Sequence, residues 1–458
     1  MPGLEQAQIR YTTHYFLALD AANDQYIEGG TGLSQALEKF DQDWPNIANA
    51  QNWTVAIISS LKTEKIPKEG PQRVAVELCN AYPDAGAYLI SLRLSAWDRI
   101  AWLEAALSAS LRLQHHMTTH AHLGNLGLAH YELGKIDRSI EFFERARKVA
   151  NEIGDRRHEG TWLGNLGIAY AALDEHQRAI QYHEQHLAIA RELGDQRGES
   201  NALGNLGVSY AAFGQTQRAL EHYQQQLQIA QQVGDSRGKS NAFLNIGLTY
   251  RDLWQMEQAR DHLERCLTLA QEIGDRQCEA DALGGLGNIM IDLGENQRAI
   301  DYFIKALKIA RESGYRRCEA IQMGSLGNVY HVLGDFEQAI EYYAEQLEIA
   351  RSLGKRSIVC TALSNQTGIL RELGQYDQAI KAGEEALTLA HEIGAQYNEA
   401  FASWQLGLAY EQLGNWEQAI KFLQANVDYE HKTKHPDAEI DAAYVVKLRE
   451  KLLGQANQ

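Results

Sequence analysis

Apolar residues return along this chain at the spacing of a helix face and not of a strand. Leu163, Leu166, Gly167, Tyr170 and Leu173 fall on one side of one helix; Ala179, Ile180, Tyr182, Leu187, Ile189, Ala190 and Leu193 fall on one side of a second. Asp174 breaks the pattern between them, and Gly194 stands where a left-handed residue closes a helix. The spacing predicts two antiparallel helices per unit, and the unit recurs every 40 residues. Leu126-Gly127 returns as Leu166-Gly167, Leu206-Gly207, Leu286-Gly287, Leu326-Gly327 and Leu406-Gly407, with Ile246-Gly247 and Gln366-Thr367 as variants. A second series, Ser139, Ala179, Ala219, Ala259, Ala299, Ala339, Ala379 and Ala419, keeps the same phase. Small residues at these points let helix axes approach closely. Neither helix can bury its stripe alone, so neighbouring units must stack.

The period organises the chain into four stretches. Residues 1–70 predict an N-terminal region of two or three helices, with Pro45 starting one. Residues 71–115 predict one degenerate helix pair, residues 116–435 eight repeats, and residues 436–458 a last amphipathic helix that covers the exposed end, with a tail.

The motif GNLGxxYxxLG with RAI and LxIAxExGD resembles the tetratricopeptide repeat, in its small residue at Gly167, its aromatic at Tyr170 and its alanine at Ala179. The 40-residue period is similar to that of the Pins/LGN polarity adaptors. The resemblance implies an all-α fold, a right-handed superhelix or α-solenoid, serving as a non-enzymatic scaffold, adaptor or sensor that binds a protein or peptide in its concave groove. Further upstream, HYFLALDAAN and LEKFDQDWPNIANAQNW resemble the junction before the sensor arm in bacterial STAND signalling ATPases of the NB-ARC type. That implies, as the alternative, a detached ligand-sensing region acting on a partner NTPase domain.

Composition narrows the chemistry. A net charge of −17 opposes phosphate contact, so nucleic acid is not an expected partner. No apolar run reaches the roughly 20 residues of a membrane helix. The N-terminal residues lack a secretory pattern, so no membrane insertion and a cytoplasmic location are expected. Five cysteines without a CxxC pair predict reduced thiols in packing positions. His115, His116, His120 and His122 are dense, and His116/His120 has ligand spacing. No nearby carboxylate or cysteine completes a set, so packed or solvated histidines, no metal and no cofactor are expected. Gly234–Ser240 (GDSRGKS) superficially echoes a phosphate loop, but no strand precedes it, and GDQRGES at Gly194–Ser200 marks it as an inter-repeat turn. His183 and His186 lack zincin spacing and take packing slots. No constellation of catalytic residues stands out.

A polar stripe runs opposite the apolar one. Arg157, Thr161, Asn165, Ile168 and Ala172 follow helical spacing, as do Arg197, Asn201, Asn205, Val208 and Ala212, and then Arg237, Asn241, Asn245, Leu248 and Asp252. In the family that this chain resembles, the stripe lines the inner groove, which implies columns of arginine and asparagine over an aliphatic floor. Asparagine amides can hold an extended backbone, and guanidinium forks take carboxylates, so an acidic or C-terminal peptide suits the stripe. Peptide clamping by Asn at this helix position carries over to Asn125, Asn165, Asn205 and Asn245. Repeats five and six depart from it, with Gly285 and Ser325 there and Asn288 and Asn328 three residues on; Arg317 completes the candidate set.

Overall fold

The computed structural model describes residues 2–28, 32–61, 66–173, 175–433, 435 and 437–456, and these residues form 22 helices and no strand. The N-terminal part comprises α1 (Pro2–Glu28), α2 (Gly32–Ser60), α3 (Pro71–Ala85), α4 (Ala87–Arg93) and α5 (Ala96–Leu113). Eight helix pairs follow: α6 (His116–Glu132) with α7 (Ile136–Glu152), α8 (Arg156–Ala171) with α9 (His176–Glu192), α10 (Gln196–Ala212) with α11 (Thr216–Val233), and α12 (Ser236–Asp252) with α13 (Met256–Ile273). Then come α14 (Arg276–Asp292) with α15 (Asn296–Glu312), α16 (Arg316–Val332) with α17 (Phe336–Ser352), α18 (Arg356–Glu372) with α19 (Tyr376–Ile393), and α20 (Gln396–Gln412) with α21 (Trp416–Thr433). A final helix, α22 (Ala438–Ala456), packs on α21. The chain divides into two compact units, one of Met1–Ala172 with Gln181–Gly198 and one of Leu173–Ile180 with Glu199–Gln458.

Within each unit the repeat punctuation is physical. Gly154 and Gly234 take φ of 73° and 71°, the left-handed region that glycine enters without a Cβ penalty. The next aspartate then caps the following helix: Asp155, Asp235 and Asp275 accept hydrogen bonds from the backbone N–H of His158, Gly238 and Cys278. This second function of the GD pair is not visible as periodicity. At one inter-helix turn the glycine is replaced by Trp254, which still takes φ 59° and stays 74% exposed.

Glycines on the first helix of each repeat receive large side chains from the second. A Cβ on Gly127 would stand 2.6 Å from the Phe143 ring, one on Gly207 2.3 Å from Tyr223, and one on Gly287 2.6 Å from Phe303. Filling such a slot by Gly→Ala overpacks it, at a cost of about 1–3 kcal/mol. The seventh repeat explains its own departure from the motif. Thr367 takes the glycine slot, and the opposing position becomes Gly383, so the small and large partners have exchanged helices.

The N-terminal core differs from expectation in two places. Pro45 lies inside α2 and does not start a helix. The missing backbone N–H is tolerated because the flanking turns are anchored by burial: Phe40 and Ile47 are 2% and 1% exposed, and Trp44 stacks between Phe40 and Trp102. Residues 71–115 hold three helices, with α3 packing on α5 and the short α4 between them in sequence. Tyr82, fully buried, donates its hydroxyl to the Thr12 carbonyl at 2.9 Å and ties α3 to α1. At the other end, Val445 and Leu448 of α22 are buried against Leu423 and Val427 of α21.

Candidate functional site

In the first unit the polar stripe of α8 is open to solvent. Arg157, Thr161, Ile168 and Ala172 are exposed and Asn165 is half-buried, while Trp162, Leu163, Leu166 and Tyr170 on the opposite side are buried. Asn125 of α6 occupies the same half-buried position as Asn165, and Arg197 is exposed. In the second unit Asn201, Val208 and Ala212 of α10 are exposed with Asn205 half-buried, and α12 repeats the order with Arg237, Asn241 and Asn245. Arg317 is exposed and Asn288 half-buried. Among the described residues, no side-chain hydrogen bond engages the amides of Asn125, Asn165, Asn205 or Asn245, which leaves their donors and acceptors available.

Not every member of the stripe is equally open. Arg237 Nε stands 3.0 Å from the Asp275 carboxylate, and Arg157 Nε stands 4.0 Å from Asp195. Each arginine thus leans on the capping aspartate of the following repeat. The arginine side chains remain 73% and 70% exposed, so such pairs contribute about 0–1 kcal/mol, little enough for a ligand carboxylate to displace them. Leu248 is half-buried and packs against the core next to Gly285, so it belongs to the repeat interior more than to an aliphatic floor. Asn328 accepts a hydrogen bond from the Tyr343 hydroxyl at 2.6 Å and another from the Asn365 amide at 3.2 Å, so its carbonyl is engaged within the fold. The stripe of α12 ends in acid. Arg251 binds Asp292 through two hydrogen bonds, and burial, with Asp292 close by, holds the Asp252 carboxyl above the usual carboxylate range.

The remaining histidines, cysteines and glycine-rich turn take the following places. His183 is 1% exposed against Gly167, and His186 lies against Gly164. The GDSRGKS stretch holds the left-handed Gly234 and the capping Asp235 of an inter-repeat turn. All five cysteines are free and buried. His122 is buried beside Asn80, ring nitrogen to Oδ1 at 3.0 Å, while His116 is exposed and His120 is 1% exposed, which separates the pair whose spacing suggested a metal. Sequence reading misses one feature of the second unit: an open cleft of about 750 Å³, lined in part by Phe213, Tyr397, Asn398 and Tyr429. These residues come from distant repeats and share no motif. No described helix is long and apolar enough to cross a membrane.

Among solved structures, the apo quorum sensor NprR of B. thuringiensis is similar at 18% identity and a TM-score of 0.52, over 81% of this chain and 97% of that one. The Rap conjugation gene regulator of plasmid pLS20, solved in complex with the Phr* peptide, is similar at 13% identity and a TM-score of 0.55, over 75% and 96%. A STAND protein with a tetratricopeptide repeat sensor from Pyrococcus horikoshii reaches 15% identity and a TM-score of 0.49, over 94% and 68%. For NprR and the pLS20 regulator the likeness is one of fold. No curated protein sequence matches the chain significantly. The Tetratricopeptide repeat profile matches residues 118–192, 198–272, 239–312, 317–392 and 358–428. With its paired helices, glycine slots and repeat period accounted for along most of its length, the chain belongs to the tetratricopeptide repeat family.

Proposed function

We propose that this protein is a non-enzymatic peptide-binding sensor or scaffold that takes an extended, acidic or C-terminal peptide along the polar stripes of its first helices. The observation that carries this reading is the set of asparagine amides at one helix position, with exposed arginines about two turns before three of them. Asparagine is a poorer helix former than alanine by about 0.6 kcal/mol, so its recurrence on an open face costs stability that a ligand contact would repay. The arginines supply carboxylate forks once drawn away from Asp195 and Asp275. The pLS20 regulator, similar in fold, is a protein solved with a peptide bound, which supports the same use of the fold here.

Peptides selected from a displayed random library on the wild-type chain provide the test. Asn125→Ala with Asn165→Ala probes the first unit, and Asn205→Ala with Asn245→Ala the second. Loss of roughly two amide contacts at about 1 kcal/mol each predicts affinity weakened tenfold or more for at least one pair. Unchanged affinity in both variants removes the stripe as the site.

A second reading, the sensing arm of a STAND ATPase, is favoured by the wording of residues 11–60. A coding segment for an NTPase beside this gene supports it, and an isolated reading frame counts against it.

A further inference from the structure

The first two repeats bring together three groups that sequence spacing keeps apart. His120 projects from α6, Asp155 sits in the turn before α8, and His158 lies in the first turn of α8. Their ligand atoms all lie within 4.8 Å of one another. The carboxylate Oδ2 of Asp155 is 2.8 Å from His158 Nδ1 and 3.5 Å from His120 Nε2. His120 is 1% exposed, yet neither of its ring nitrogens has a hydrogen bond of good geometry. A buried imidazole left so poorly satisfied costs stability unless something else binds it. Cations that could neutralise Asp155 are occupied elsewhere: Arg156 is held by Glu159 and Glu192, and Arg157 leans toward Asp195.

The arrangement, which includes a hydrogen bond between His158 Nδ1 and Asp155 Oδ2, can also take a metal. Tetrahedral zinc with bonds of about 2.0–2.1 Å sets ligand atoms about 3.3 Å apart; the two Asp155 distances, 2.8 and 3.5 Å, lie within about half an ångström of that, and the two imidazoles, within 4.8 Å of each other, would draw together around the ion. The second carboxylate oxygen, Oδ1, accepts the backbone N–H of His158 at 3.1 Å, which fixes the carboxylate's orientation. Trp162 walls the site, its ring lying 6.3 Å from His120 and 6.4 Å from His158. The His158 side chain is 45% exposed, which leaves an approach for a water in the fourth position.

We propose that His120, Asp155 and His158 form a binding site for a divalent zinc-type ion, with water as the remaining ligand, that clasps the first repeat to the second. The expectation of no metal rested on the absence of a carboxylate near the histidine run; folding delivers one from the following turn. Two imidazoles and one carboxylate suit Zn²⁺ and its mimic Co²⁺ better than Mg²⁺ or Ca²⁺, which require oxygen ligands.

Titration of the full chain with Co²⁺ alone, followed by visible absorption, tests this. One ion per chain with the intense bands of four-coordinate cobalt, displaced by one equivalent of Zn²⁺, is expected. His158→Ala removes a half-exposed ligand, and Asp155→Asn keeps the capping oxygen, so both variants should fold, as circular dichroism will report. Each should lose the bands and bind Zn²⁺ about tenfold or more weakly. His116→Ala, outside the cluster, should bind as the wild type does. Absence of stoichiometric uptake, wild-type binding by both ligand variants, or equal loss in His116→Ala overturns the site.

Discussion

His183 shows how one slot in a repeat can carry a private property. Phe143, Tyr223, Phe303 and Tyr343 occupy the same position in other repeats, so the sequence period identifies 183 as a packing site. What the period cannot convey is that burial pulls this imidazole down to a pKa of about 3, against about 6.5 in an unfolded chain. Between those values the unfolded state binds the additional proton, so stability is whole above pH 6.5 and is lost as pH falls toward 3. The loss amounts to on the order of 2 kcal/mol by pH 5. His183→Phe, which copies the neighbouring slots, should keep the fold and remove that share of the acid sensitivity. Denaturant melts of both proteins at pH 7 and pH 5 check this; an identical loss in the two contradicts it. The polar stripe was legible in the same partial way. Periodicity placed Asn165 and Asn205 on an open face, but it could not foresee that Arg237 would reach the capping Asp275, or that Tyr343 would claim Asn328.

Between helices, the repeats are fastened by a buried carboxylate as well as by apolar stripes. Glu279, 7% exposed at the start of α14, accepts hydrogen bonds from Arg276 at 2.7 Å and from Gln271 of α13 at 3.1 Å, while Arg276 also reaches Glu312 of α15. Glu159 and Glu319 repeat the arrangement with Arg156 and Asn151, and with Arg316 and Arg311. Removing the carboxylate takes away two charge-assisted hydrogen bonds from the solvent-accessible Arg276 and Gln271, so Glu279→Ala should cost on the order of 1 kcal/mol, measurable as a lower denaturant midpoint with unchanged slope. A variant as stable as wild type would show the pairing to be dispensable. Helical spacing does not single out these glutamates, because it reports a face and not the neighbour that covers it. Thr367 is the converse case: it reads as a broken motif until Gly383 is seen across from it.

At the level of the whole chain, the repeat stretch was open to sequence reading because one short pattern is copied many times, whereas the first 115 residues pack through one-off contacts such as Trp44 on Trp102. The end of the array depends on α22. Truncation after residue 435 would bare Leu423 and Val427 to water, so the shortened protein should melt at lower temperature and scatter light at concentrations where the full chain stays clear. Equal melting and clarity would argue that the last pair seals itself. The glycine slots also restrain the gene. The tandem segments share one 40-residue pattern, so loss of one segment preserves both reading frame and helical phase. Gly124, however, accepts Trp162 from the adjoining repeat. Excising residues 156–195 would present Ala202 to that slot instead, leaving a hollow the size of an indole. Copy number in this family member is therefore policed by the fit of individual side chains, even where the surrounding text of the repeats would allow them to be shuffled.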